Sequence, residues 1–438
     1  MMCQQALKIV ALTPGAGGML CGSCLSDNTL IGAMQSLGHD ASLVPLYTPI
    51  TTDEENLSVP PVFFGGMNVY LQQKFPIFRH FPRFLDRLLD HPRLISLLTS
   101  LPANTNQDQL ASLTLSMVRG EEGNQRKEVH RLIDWLAREP LPDIIHFSNL
   151  LVAGCARRLK REVTIPLVVT LQGDDVFLES LGENHRARIV DEMQNLVAVI
   201  DRFIVHSHFY AKKMASYFSI PQEKFSIVPL GIEAADYLDS PRENSDHRAM
   251  RVGYLARICP AKGLDLLVDA FLQLKEQPAF ERLELWVAGD LSRGDRAYFD
   301  QQKARIVSAG CQNDFHYAGR VDRKQKIDFL SQLDLFSVPA PFEDPKGRYV
   351  LEALAAGIPV VQPADGAFPE LIGRTGGGQL FTPRDSSALA GTLSELLHDS
   401  KRRRVLSREG REGVMRAAGA TEMAEEMIAV YRLLLESP

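Results

Sequence analysis

The chain has 438 residues, too many for one ordinary domain and suited to two of about 200 each. It is 45% hydrophobic and 23% charged, enough apolar content to fill sizeable cores, which excludes a disordered chain. The net charge of −6 is mild for this length, and no nucleic-acid partner is expected.

Six cysteines (Cys3, Cys21, Cys24, Cys155, Cys259 and Cys311) are thinly spread, unlike those of a short secreted scaffold. Residues 1–14 lack the basic start and long apolar core of a signal peptide. No run of about 18 apolar residues predicts a membrane span. The expectation is a cytoplasmic protein with reduced thiols.

In chain order, an apolar run predicts a strand over 7–12. The glycine-rich turn 13–18 and a helix over 25–37 follow, then a strand over 41–46. Residues 63–101 are rich in aromatics, prolines and arginines. They read as packing over the first domain, as a lid, or as an interfacial surface for a lipid at the inner face of a membrane. Strands are then predicted over 143–147, 166–171, 201–206 and 225–229, before a polar linker over 233–248. A second series runs through strand 251–256, helix 263–275, strand 283–288, helix 296–308, strands 315–318 and 333–338, helix 347–356 and strand 359–362. Residues 388–436 read as nearly all helical. This alternation predicts the α/β class, with two open parallel sheets in tandem. Ligands of such sheets bind at the carboxyl ends of the strands. Two such edges facing across a linker would form a cleft for a donor and an acceptor.

The second series carries the densest chemistry. Arg257 stands just past a strand, and Lys262 opens the next helix. The stretch PFEDPKGRYVLEALAAGIPVV breaks at Pro345-Lys346-Gly347, so the first amides of the following helix, near Gly347, Arg348 and Tyr349, could meet phosphate oxygens. Glu352 lies about one and a half turns inside that helix, with Glu343 and Asp344 in the loop before it. Cations and a helix start suit a diphosphate leaving group, and a carboxylate suits ribose hydroxyls. The plainer reading of Glu352 is a surface carboxylate, but its neighbours Leu351, Ala353 and Leu354 are apolar.

These residues resemble the retaining glycosyltransferases that include glycogen synthases, sucrose-phosphate synthases and bacterial lipid mannosyltransferases. That family, numbered four, places two acids seven residues apart before Ala-x-Ala-x-Gly-x-Pro-Val. Asp344 and Glu352 have that spacing, with Asp in place of the usual first Glu, and Glu343 stands one place early. The resemblance implies the GT-B fold, two Rossmann-like domains facing across a cleft, with domains at 1–235 and 236–419 and helix 420–438 rejoining the first. It implies that Arg257 and Lys262 bind the donor diphosphate, that Asp344 or Glu343 contacts the sugar, and that Glu352 takes the ribose. Gly366 and Ala367 match the family's Gly-Gly turn, with Ala at the second place. It also implies transfer with retention from a nucleotide sugar to an unidentified acceptor, with no cofactor and no metal.

In the first half, Gly17 and Gly18 would bring backbone amides close to a phosphate. A dinucleotide fingerprint is excluded, because Leu20 stands where its third glycine would fall. Cys21-Gly22-Ser23-Cys24 has redox or metal spacing, although its plainer reading is small residues in a tight turn. His146 matches the first of two family histidines and is expected to contact substrate; Ser148 replaces the second. Asp174, Asp175 and His206 end neighbouring strands and are weaker candidates. Two other readings keep the same fold: a nucleotide-sugar epimerase, hydrolase or phosphorylase, and a non-catalytic nucleotide-sugar sensor.

Overall fold

The structure, a computed structural model, describes residues 5–15, 21–59, 62, 107–137, 140–238 and 249–436. The chain divides into two compact units, Met1–Val228 with Met423–Pro438, and Pro229–Glu422.

The first unit holds β1 (Lys8–Thr13), β2 (Asp40–Pro45), β3 (Ile144–Phe147), β4 (Leu167–Thr170), β5 (Arg202–Val205) and β6 (Phe225–Ile227). They form one sheet in the order β2-β1-β3-β4-β5-β6, every neighbouring pair parallel. Ile9, Val10 and Leu12 of β1 and Leu167, Val168 and Val169 of β4 are buried, as in a sheet with helices over both faces. Each such side chain stabilises the core by about 1.5–3 kcal/mol. The strand order reverses between β1 and β3, which places a ligand-binding edge at the ends of those two strands.

The second unit repeats the plan with β7 (Arg251–Leu255), β8 (Glu284–Ala288), β9 (Phe315–Tyr317), β10 (Leu335–Phe336), β11 (Val360–Pro363) and β12 (Gly378–Phe381). The order is β12-β11-β10-β7-β8-β9, again parallel throughout, so the reversal lies between β7 and β10. The helix Ser400–Ala417 ends where Ile232 pairs with Gly419. Ile232 donates its amide to the Ala418 carbonyl at 3.0 Å and accepts from Ala420 at 3.0 Å. The last helix, Ala420–Glu436, leaves this unit at Glu422, and from Met423 it packs in the first, where Tyr431 is fully buried.

Two sequence expectations change here. The stretch 233–248 does not start as an open linker: Ala235–Leu238 is helical, and Tyr237 is buried in the second unit with the Arg323 guanidinium 5.3 Å from its ring. Strand β12 was not expected, because it opens on glycine. Residues 239–248, Gly17, Gly18 and the whole of 63–101 lie outside the described residues. Among the described residues no helix is long and apolar enough to cross a membrane.

Candidate functional site

In the second unit the site is built at the strand reversal. Strand β7 runs into a loop where Arg257 is exposed, then into the turn Pro260–Lys262 and the helix Leu264–Lys275. Strand β10 runs through residues 337–347 into the helix Arg348–Ala355. Because β7 and β10 are neighbours, these two strand ends bring Lys262 and Asp344 together. Lys262 Nζ lies 2.7 Å from Asp344 Oδ2.

Asp344 is only 4% exposed. Burying a lone carboxylate costs several kcal/mol, so it must be met by donors. Lys262 Nζ and the Tyr349 hydroxyl, at 3.0 Å, donate to Oδ2. The amides of Lys346 and Gly347, at 3.0 and 3.2 Å, donate to Oδ1. Burial alone would raise this carboxyl. The Lys262 charge and the hydrogen bonds from Lys262, Lys346 and Tyr349 outweigh burial and hold it at about 2.

Of the amides expected to meet phosphate at Gly347, Arg348 and Tyr349, that of Gly347 is turned onto Asp344, together with the amide of Lys346. The cause is the short side chain at 344, which reaches the amides two and three residues on as an aspartate does in a helix cap. Gly347 sits at φ +71, the left-handed conformation that lets the chain turn from this loop into the helix.

The two residues after Gly347 point inward. Arg348 is buried and donates through Nε to Glu352 Oε1 at 3.1 Å. The Tyr349 ring packs between Phe336 and Phe368, with the Lys262 ammonium 5.2 Å from its face. Lys326, buried on the helix Arg323–Ser331, donates to the same Glu352 Oε1 at 2.9 Å. Glu352 Oε2 takes no hydrogen bond from any described residue. Sequence reasoning missed Lys326, because its surroundings, Arg-Lys-Gln-Lys, read as a solvated helix face.

The expected Gly366-Ala367 turn leans on the same loop. A Cβ at Gly366 would stand 2.7 Å from the backbone N and O of Asp344, and φ there is +61. Ala367 instead has φ −81 and donates its amide to the Asp344 carbonyl at 2.9 Å. The turn therefore needs glycine only at its first place. Glu343 is half-buried in this loop.

In the first unit the carboxyl ends of three strands are joined through one side chain of the helix Gly22–Ser36. Asp27 accepts from Thr13 Oγ1 at 2.9 Å and from Gln172 Nε2 at 2.8 Å, and Gln172 also donates to the Ser148 carbonyl at 2.9 Å. His146, expected to contact substrate, is buried, with Nδ1 bonded to the Tyr431 hydroxyl and Nε2 2.6 Å from Thr170 Oγ1, so both ring nitrogens are engaged within the fold. Burial, aided by His206, holds its pKa down at about 3. Asp174 accepts from the amides of Leu150 and Gln172, and Asp175 pairs with Tyr210 and Lys213, so both aspartates act within the fold. His206 bonds the Val228 carbonyl through Nδ1. Among the described residues no group of three His, Cys, Asp or Glu could hold a metal ion.

Two adjoining family models match this chain. Residues 238–413 match "Glycosyl transferases group 1", and residues 115–236 match "Glycosyltransferase Family 4". The chain belongs to this glycosyltransferase family. The amylovoran biosynthesis glycosyltransferase AmsK of Erwinia amylovora is 26% identical over 261 residues, 58% of this chain. The match spans 60% of that relative's own length. Among solved structures, a sucrose-phosphate synthase from Thermosynechococcus elongatus superposes with a TM-score of 0.71 at 18% identity, covering 98% of this chain and 100% of that one. HepE of Anabaena, solved in complex with UDP and glucose, gives 0.67 at 17% identity, covering 97% and 100%. These likenesses give the chain the GT-B fold of the glycosyltransferases.

Proposed function

We propose that the chain transfers a sugar from a nucleoside diphosphate to a hydroxyl acceptor, with retention at the anomeric carbon. The observation that carries this reading is the Lys262–Asp344 pair at the strand reversal of the second unit. Negative charge grows on the diphosphate as the sugar–phosphate bond breaks. A cation fixed in advance at that point lowers the barrier without reorganising as the charge develops. Lys262 and Arg257 bind the diphosphate. Asp344, its acceptor capacity used by four donors, positions Lys262 and the helix start. Glu343, in the same loop, contacts the sugar hydroxyls. Glu352 takes the ribose through Oε2, while Lys326 and Arg348 fix Oε1. The fold neighbour solved with UDP and glucose supports this class of donor.

In the transfer the bond from the anomeric carbon to the phosphate oxygen breaks, and the acceptor oxygen bonds to that carbon on the same face. The acceptor proton passes to the departing phosphate oxygen. The protein then supplies orientation and charge stabilisation rather than an acid–base pair of carboxylates. The carboxyl edge of the first sheet, around Thr13, Asp27 and Ser148, is the proposed acceptor side.

The test is product analysis with UDP, GDP and ADP sugars over a panel of hydroxyl acceptors. Proton NMR of the new glycosidic linkage should show the donor's anomeric configuration. An inverted product, or release of free sugar at the same rate with and without every acceptor, would overturn the reading.

A further inference from the structure

Two thiols stand at the start of the first unit's first helix, and the transfer reaction uses neither. Cys21 is the N-cap of Gly22–Ser36 and half-buried, and Cys24, one turn further, is fully buried. Both are free cysteines. Thr13 Oγ1, at the end of β1, lies 3.8 Å from Cys24 Sγ and donates to Asp27. We propose that Cys21 and Cys24 form a redox-active dithiol that exchanges with small-molecule disulfides, Cys21 attacking and Cys24 resolving.

The geometry assigns the order. An attacking sulfur must be reached from solvent, and only Cys21 is partly exposed. The neighbouring Cys21 thiol and burial push the Cys24 thiol above its usual range. Residues three apart on a helix are neighbours on one face, so the two side chains stand on the same side of its first turn. A zinc site is not offered in their place, since no other His, Cys, Asp or Glu completes a metal-binding group among the described residues.

The exchange balances. Cys21 loses its proton, attacks one sulfur of a disulfide RSSR and releases one thiol, leaving a mixed disulfide. Cys24 then attacks Cys21 Sγ, and its proton leaves with the second thiol. Two protein S–H bonds and one small-molecule S–S bond become one protein S–S bond and two small thiols.

The test is chemical and does not depend on glycosyl transfer. The full chain is equilibrated with mixtures of reduced and oxidised glutathione, quenched in acid, unfolded, alkylated and mapped by mass spectrometry. In excess glutathione disulfide the peptide spanning 21–24 should lose two hydrogens and resist alkylation at both cysteines, and dithiothreitol should restore both. Cys24→Ser should trap glutathione on Cys21, whereas Cys21→Ser should leave Cys24 unmodified in the folded chain. A wild-type peptide that stays fully alkylated in excess disulfide would overturn the proposal. So would a Cys24→Ser chain that takes no glutathione.

Discussion

Tyr349 and Lys262 converge on one oxygen. The tyrosine hydroxyl at 3.0 Å and the lysine ammonium at 2.7 Å both donate to Asp344 Oδ2, so the loop after β10 and the turn after β7 are fixed by a single buried carboxylate. The placement of the proposed cation thus depends on an acid that has no capacity left for substrate.

Exchanging the two loop acids separates their roles. Asp344→Asn puts an amide nitrogen or a half-filled acceptor where four donors point. Breaking a buried pair this way should cost about 3 kcal/mol. The turnover number should fall by about 100-fold or more as Lys262 loses its anchor. Glu343→Gln should lower the melting temperature less than Asp344→Asn and raise KM for the donor. Steady-state kinetics and thermal denaturation of both variants check this, and the opposite pattern would assign the positioning role to Glu343.

Gly366 and Ala367 differ in what they tolerate. Gly366→Ala must hold a left-handed backbone, at about 1–2 kcal/mol, and also push a Cβ into the Asp344 backbone 2.7 Å away. For a unit of this size each kcal/mol lowers the melting temperature by about 2–4 °C. Ala367→Gly should change it much less. Equal melting temperatures for the wild type and Gly366→Ala would remove the account of this turn.

His146 makes the first unit sensitive to acid. Its pKa is about 3 in the folded chain against an ordinary 6.5, so the unfolded chain binds the proton first. The stabilisation is complete above pH 6.5 and is lost as pH falls from there toward 3. In full it amounts to about 4–5 kcal/mol. His146→Gln, which cannot titrate, should flatten the unfolding free energy of this unit across that window. Denaturant melts at several pH values measure the slope, and the same slope in the variant would place the effect elsewhere.

Metal removal is expected to leave transfer intact, because Lys262 and Arg257 supply the positive charge in this account. Rates with excess EDTA should match those without it. A loss restored by magnesium or manganese would mean that the charge on the diphosphate is met by an ion instead.

The fold was legible because strands of a sheet covered on both faces are continuous apolar runs, as in Ile9–Leu12 and Leu285–Ala288. Strand β12 was not, since it begins at Gly378 and only Phe381 in it is buried. At the site, the spacing of Asp344 and Glu352 and the glycines at 347 and 366 could be read directly, as each is fixed by local chain geometry. The engagement of His146 with Tyr431 could not, because 285 residues separate them and the contact forms only when the last helix returns to the first unit. Lys326 was hidden for the same reason, as a lysine among polar neighbours whose partner Glu352 lies on a later helix.

The most direct test of the account is nucleoside diphosphate binding to the wild type and to Lys262→Ala, followed by calorimetric titration and thermal shift with UDP, GDP and ADP. One nucleotide should bind and stabilise the wild type, by about 2.7 kcal/mol when present at 100 times its Kd. Lys262→Ala should bind it at least about tenfold more weakly, the equivalent of 1.4 kcal/mol, and melt as one folded protein. Binding of none of the three, or equal binding by the folded variant, would contradict the assignment of this site.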